Sequence, residues 1–358
     1  WCQLGAFSPI NRLHSSDSPF NGKEPWNFHA EARKAMEDSL RLRHSMIPYL
    51  YAMNRRSAVE GLPLVEPMYW RYSGGNVPTE YLFGTELVVS PIVSPQDPVA
   101  QRGRADVWLP QGEWFDFFDG RRYVAASGNG CLLQAWRPLD RMPVFAKAGG
   151  IVPLQEERED LNDVSNPESL RVLMFPGADG AFDLWEDDGG VGDRNRWACT
   201  RLRLEWPTRR RWQVVLRGVR AMEEKDIEAY VDGQRIMVHP RHDASTLSLI
   251  LDCGEMRCDG RLEVTLHGAA VAPDPLVEDS FAVLHDAQME YFTKERAYAL
   301  VKDLGPAAVG SLRSLEAEPG EYGEPSWFMS HMPYSVIEAL TEVLCRGIGT
   351  VTQGRAAA

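Results

Sequence analysis

The sequence predicts a mixed architecture: a helical beginning, two antiparallel β units, and a helical C-terminal extension. Three observations carry that reading. Apolar residues recur at helical spacing up to about Glu60. The period then drops to two and holds, in short runs punctuated by turn residues, to about residue 270. Helical spacing returns after Pro273. A chain of 358 residues also exceeds what one hydrophobic core ordinarily serves, so two to three domains are expected.

From His29 to Glu60, Met36, Leu40, Ile47, Leu50 and Tyr51 share one helical face while charged residues fill the other. This reads as one long helix, with Asn27 as N-cap, Glu31 in the first turns, a kink at Pro48 and a stop at Gly61. Between Leu62 and Leu154, strands are expected at 81–83, 87–91, 105–109, 114–117 and 143–145, which suits a small antiparallel sandwich. Residues 155–167 are polar, contain Pro167, and read as a linker or long loop. A second β unit follows, with runs at 170–175, 181–185, 200–206, 212–217, 227–231, 246–251 and 262–266. Gly177 to Gly180 and Asp232-Gly233 supply its hairpin turns. In the tail, Leu276, Phe281, Leu284, Met289, Phe292 and Leu300, then Val336, Ile337, Leu340, Val343 and Leu344, fall at helical spacing around a Gly- and Pro-containing break at 319–325. Those apolar stripes need cover, on the second β unit or on a second subunit, and a homo-oligomer interface is expected there.

Composition narrows the function. A net charge of -13, from 38 basic and 51 acidic residues, repels nucleic acid and anionic membrane surfaces, so neither is expected as a partner. A neutral substrate is compatible with it. Cys2, Cys131, Cys199, Cys253, Cys258 and Cys345 are too sparse for a disulfide scaffold and are expected to be reduced thiols, in keeping with a cytoplasmic location. No apolar run approaches the roughly 20 residues needed to cross a bilayer, and no signal peptide opens the chain.

Motifs narrow it further. The opening run WCQLGAFSPINRLHSSDSPFNGKEPWNF places Trp1, Gln3, Gly5, Ala6, Phe7, Pro9, Arg12 and His14 in one short segment. Pro48-Tyr49-Leu50-Tyr51, Gly61-Leu62-Pro63-Leu64-Val65-Glu66-Pro67 and residues 81–92 (YLFGTELVVSPI) follow, then residues 109–116 (LPQGEWFD), 143–153 (PVFAKAGGIVP) and Trp185-Glu186-Asp187-Asp188-Gly189. In order and spacing this series, over about residues 1–270, resembles the C-terminal portion of the retaining α-glucosidases of glycoside hydrolase family 31; residues 271–358 match nothing in it. Ile10 departs from the pattern, standing where an aromatic residue is common.

The resemblance implies that residues 1–60 end a catalytic (β/α)8 barrel, with its terminal strand at Leu4–Ser8 and its final helix at 29–60. Residues 61–155 would then be a proximal C-terminal β-sandwich, 156–272 a distal one, and 273–358 a helical extension. Because the chain enters the motif at its first residue, a preceding stretch bearing the rest of the barrel is expected as its partner. The implied activity is hydrolysis of α-linked glucosides with retention, which needs two carboxylates about 5–5.5 Å apart. Neither the family's nucleophile segment nor its acid/base segment is found here, so no catalytic residue is assigned and the chain alone is expected to be inactive. No cofactor or metal is expected.

Three residues are candidates for substrate binding. His14 follows the expected strand in the loop region that builds a barrel's catalytic face, and an imidazole can both donate to and accept from sugar hydroxyls. Arg12, with its planar fork of donors, is expected chiefly to fix that loop. Trp26 is expected either to line the pocket mouth or to pack beneath the loop. The run from Arg12 to Trp26 is more similar to bacterial α-glucosidases than to α-xylosidases, and an α-xylosidase and a non-catalytic carbohydrate-binding β-sandwich protein are the competing readings.

Other constellations are weaker. Glu186-Asp187-Asp188-Gly189 reads as a solvated turn. His239 and His242 are separated by Pro240, which spoils a helical metal face, and Cys253 and Cys258 are too far apart for a C-x-x-C pair. There is no G-x-S-x-G elbow, H-E-x-x-H helix, phosphate-binding Gly loop or dinucleotide fingerprint.

Overall fold

The chain opens on a helix where the family resemblance implies a strand. In the computed structural model, which describes residues 1–18, 20–74, 77–156, 165–190, 197–200, 209–257, 261–315 and 332–348, α1 spans Cys2–Ala6 and its Gly5 N–H donates to the Trp1 carbonyl at 2.8 Å. A strand satisfies its backbone only across a ladder, and no described strand pairs with Leu4–Ser8, so the segment closes local bonds instead.

The single helix expected over 29–60 is two, α2 (Ala30–Ser45) and α3 (Ile47–Glu60), meeting at Met46. Pro48 has no N–H to donate to the His44 carbonyl four residues earlier, so the ladder is interrupted and Pro48 sits in the first turn of α3, where a missing donor costs little. His29 occupies the N-cap position of α2, while Asn27 lies in a 3-10 turn at Pro25–Asn27. Gly61 does stop α3, at φ 71°, with its N–H on the Ser57 carbonyl at 3.1 Å.

The first β unit comprises β1 (Val65–Pro67), β2 (Tyr81–Phe83), β3 (Leu87–Val89), β4 (Gly103–Leu109), β5 (Gly112–Asp116), β6 (Arg122–Ala125), β7 (Cys131–Arg137) and β8 (Val144–Lys147). Six of these form an antiparallel sheet in the order β1-β2-β3-β8-β5-β6, and β4 pairs with β7 in a separate ribbon. Val88, Trp114, Tyr123 and Phe145 of the sheet share one core with Val107, Leu109, Leu133 and Ala135 of the ribbon. The sheet's other face carries Phe83, Leu87, Val89, Phe115 and Val144 into a larger core with Phe7, Met46, Tyr49 and Met53 of the helical layer. Cover on both faces explains why β3 is wholly buried and reads as an unbroken apolar run.

The second β unit comprises β9 (Ile151–Gln155), β10 (Ser169–Met174), β11 (Leu184–Asp187), β12 (Trp197–Thr200), β13 (Arg209–Arg217), β14 (Ile227–Val231), β15 (Gln234–Ile236), β16 (His239–Asp243), β17 (Ser248–Arg257) and β18 (Leu262–Leu266). Its main sheet runs β16-β17-β13-β10-β9, beside a three-stranded sheet β15-β14-β18 and the hairpin β11-β12. Strand β9 therefore joins the second unit, although its sequence continues the first. The arrangement is not wholly antiparallel: β10 and β13 are parallel, from Ser169 opposite Arg211 to Met174 opposite Leu216. Parallel neighbours need a long crossover, and β11-β12 lies within it, so Gly177 to Gly180 does not close a hairpin. Asp232-Gly233 does, between β14 and β15, with φ of 50° and 80° as a type I′ turn requires. Of the expected strand at 200–206, only Thr200 lies within the described residues.

The tail folds as α4 (Leu276–Asp286), α5 (Tyr291–Leu304), α6 (Ala308–Arg313) and α7 (Tyr334–Cys345). Continuous spacing over 276–304 is broken where Glu290 caps α5, accepting from the Phe292 and Thr293 amides at 2.7 Å each. Val336, Ile337, Leu340 and Leu344 of α7 are buried with Val283, Leu284, Val301 and Leu312, and with Ala100 and Trp136 of the first β unit. That cover is intramolecular and comes from the first sandwich, not from the second β unit; Phe281 and Phe292 stay exposed, at 50% and 66%. The expected break at 319–325 lies outside the described residues. Among the described residues no helix is long and apolar enough to cross a membrane.

Candidate functional site

The loop after α1 is built outward from a buried anchor. Phe7 is fully enclosed, edge-on to Phe83 at 5.7 Å, Phe117 at 5.9 Å and Phe118 at 6.2 Å. The Tyr81 hydroxyl donates to the Phe7 carbonyl at 2.8 Å, and burial pushes this phenol well above its usual range, which keeps it a neutral donor. From α2, the Arg43 guanidinium donates to the carbonyls of Ala6 at 3.3 Å, of Ser8, and of Pro9 at 2.8 Å.

Arg43 thus does the anchoring expected of Arg12. Arg12 is exposed and makes no hydrogen bond or ion pair among the described residues. Nothing in the local pattern could have singled out Arg43, because its contacts span more than 30 residues of chain. Its side chain also sits on a helix face otherwise indistinguishable from a solvated one.

His14 lies in the extended part of the loop, exposed, and is likewise without a partner among the described residues. Trp26 is 68% exposed in the 3-10 turn, so it does not pack beneath the loop; its neighbour Pro25 is buried. Local ties shape the remainder: Ser15 Oγ donates to the Asn21 carbonyl, Asn21 Nδ2 to Ser16 Oγ at 3.3 Å, and Asn27 Nδ2 to Glu24 Oε2 at 2.9 Å. No hydrogen bond, ion pair or ring contact joins Arg12, His14 and Trp26 to one another among the described residues. What the segment does share is exposed apolar surface, since Trp1, Ile10, Phe20 and Trp26 all stand in solvent.

The buried carboxylates serve the fold. Glu66 is held by Arg56 at 2.9 Å and Arg71 at 2.7 Å, Asp116 and Glu342 by Arg137 at 2.9 and 2.7 Å, and Glu86 accepts from the Ile151 amide at 3.1 Å. Glu80 accepts from Ser90 Oγ at 2.8 Å and from the Trp108 amide at 3.2 Å; burial pushes its pKa up to about 8.

The 186–189 segment differs from a solvated turn. Glu186 and Asp187 belong to β11, Glu186 is buried, and Asp187 accepts from the Tyr51 hydroxyl and from the Gly189 amide. With Arg55 lying over the Trp185 ring at 3.2 Å, these contacts dock the β11-β12 hairpin onto α3. His239 and His242, three apart on β16, point to opposite faces; His239 approaches Glu224 at 3.5 Å and His242 the Val219 carbonyl at 3.1 Å. Cys253 is buried in β17, where desolvation pushes its thiol up to about 11, and Cys258 lies outside the described residues. Among the described residues no group of three or more metal-ligating side chains comes together.

Comparison with known proteins agrees with this arrangement. Residues 1–53 match the TIM-barrel domain of glycosyl hydrolase family 31, and residues 61–152 match that family's C-terminal domain. Over 53% of the chain it is 31% identical to a 1,6-α-glucosyltransferase of Sporosarcina globispora, covering 14% of that protein. It is 28% identical over 53% of its length to an α-xylosidase of Saccharolobus solfataricus, covering 25% of it. The chain thus spans a quarter or less of these relatives' length. Among solved structures, a family 31 dextranase of Flavobacterium johnsoniae superposes with a TM-score of 0.59 over 75% of this chain and 36% of its own, at 21% identity, which speaks to the fold alone.

Proposed function

We propose that this member of glycoside hydrolase family 31, of which the chain carries barrel-domain and C-terminal-domain sequence, acts as a whole protein on α-glucosidic bonds and hydrolyses them with retention. The observation that carries the reading is the succession of the two domain matches, in family order, with the His14 loop inside the first. Retention requires a nucleophile and an acid/base about 5–5.5 Å apart. The buried carboxylates Glu66, Glu80, Asp116 and Glu342 are committed to guanidinium, hydroxyl or amide partners, which supports placing both catalytic groups outside this chain. The remainder of the barrel is the proposed cover for Trp1, Ile10, Phe20 and Trp26.

In that setting His14 contacts a sugar hydroxyl, with Arg12 and Trp26 at the edge of the same pocket. Two measurements test the reading. The chain alone is expected to turn over no aryl α-glucoside at any pH, and turnover that persists through further purification would refute the placement of the carboxylates. In the complete protein, His14→Ala is expected to lower kcat/KM by about 10- to 100-fold with the fold intact, the worth of one or two lost hydrogen bonds. Near-normal kinetics in that variant would remove His14 from the pocket. An α-xylosidase is the second reading, favoured by the Saccharolobus solfataricus relative, and parallel assays on aryl α-glucoside and aryl α-xyloside separate the two.

A further inference from the structure

A cavity of about 310 Å³ lies where the helical layer meets both β units, walled by Ser39 and Ser45 of α2, Phe118, Leu173, Arg171 and Arg217 among others. Two polar atoms on its walls, Ser45 Oγ and Arg217 Nε, are buried with no hydrogen-bond partner among the described residues. The second cation, Arg171, is half-buried and makes no hydrogen bond or ion pair among the described residues.

The acidic groups on the same walls are already spent. Asp38 pairs with Lys34 at 2.6 Å, Asp140 with Arg141 at 3.3 Å, and Arg141 also reaches Asp119 at 3.1 Å. Among the described residues the Arg217 side chain hydrogen-bonds only Ser248 Oγ, at 3.4 Å, and burial pushes its pKa down to about 10, which leaves it a cation at neutral pH. The strand register puts the two arginines on one face of the sheet: Arg171 lies opposite Gln213, and Arg217 follows four residues along β13, about 13 Å further on. Side chains of this length converge across such a gap. A desolvated guanidinium with a single acceptor is costly, and its planar fork matches the oxygens of phosphate or carboxylate in two-point contacts. The volume is at the small end of ligand cavities.

We propose that this cavity is a binding site for a small molecule bearing an oxyanion, phosphate or carboxylate, held by Arg171 and Arg217 with Ser45 as an additional hydroxyl partner. The site lies at the junction of the three layers, with Ala6 and Phe7 at the base of the His14 loop among its walls, and it takes a charged ligand rather than a neutral sugar.

Calorimetric titration of the full chain at neutral pH and low salt, with inorganic phosphate in one arm and malonate in the other, tests it. Saturable binding in either arm is expected, and the stronger arm identifies the oxyanion. Arg171→Gln, half-exposed and expected to fold, should weaken binding about 10-fold or more, the worth of one charged hydrogen bond. Arg211→Gln, an exposed residue paired with Asp252 outside the cavity, should bind as the wild type does. Absence of saturable heat up to tens of millimolar of both ions, or an Arg171→Gln variant that binds normally, overturns the proposal.

Discussion

Glu80 sits where ionisation is most costly, 5% exposed within the first sandwich, and its hydrogen bonds from Ser90 and the Trp108 amide only partly offset the desolvation that raises its pKa from 4.5 to about 8. Between those values the folded protein keeps a proton that the unfolded chain has released. Raising the pH through that window therefore costs stability, and below about 4.5 the cost disappears. Glu80→Gln keeps an acceptor for both donors and carries no charge. Its stability relative to wild type should be near zero difference at pH 5 and rise to a gain on the order of a few kcal/mol by pH 9. Denaturant unfolding at the two pH values checks this, and a difference that stays flat refutes it. At the same scale, the opening segment points to His14 and Trp26 as candidates, whereas nothing local points to Arg43 or to Arg217, whose one hydrogen bond among the described residues is to Ser248. Their roles depend on which distant backbone or cavity their guanidinium meets, and a helix face or strand alternation does not encode that.

At the level of elements, local chemistry follows from the sequence where the cause is local. Gly61 stops a helix and Asp232-Gly233 turns a hairpin because left-handed backbone is cheap for those residue types. Pro48 is expected to kink one helix, and its lost donor instead divides α2 from α3. The misreadings concern partners. Among the described residues no strand pairs with Leu4–Ser8, β9 pairs across to β10, and β10 runs parallel to β13. The joint between α7 and β7 is of this long-range kind. Arg137 bridges Asp116 and Glu342, with the Tyr123 hydroxyl at 3.1 Å, and all four side chains are buried. Arg137→Met would leave two carboxylates enclosed without their cation, so a loss of about 3–5 kcal/mol is expected in urea unfolding. Adding Glu342→Gln should recover part of it. A loss below about 1 kcal/mol would mean that water reaches the joint.

For the molecule as a whole, the tail is structural cover. Its buried apolar residues pack on Trp136, Ala100 and one another while Phe281 and Phe292 stay exposed, and Arg346 ties α7 to Asp274 and Asp279. Removal of residues 276–358 is therefore expected to lower Tm and expose the apolar ground around Trp136, giving concentration-dependent aggregation. Sedimentation and thermal melts of the truncated chain check this. A truncated chain that melts normally and merely loses an oligomeric state would support the subunit-interface reading instead. The sequence by itself determined the resemblance to the family, the order of helical and β regions, the helix stop at Gly61 and the turn at Asp232-Gly233, because periodicity, glycine and proline act within a few residues and motifs keep their order along the chain. Only the tertiary structure decided which strand pairs with which, where the tail lies, and which arginine anchors, bridges or faces a cavity. Each of those outcomes is a contact between residues tens to hundreds of positions apart, fixed by shared burial and by the pairing of charges taken out of water, and none of it leaves a mark on local spacing.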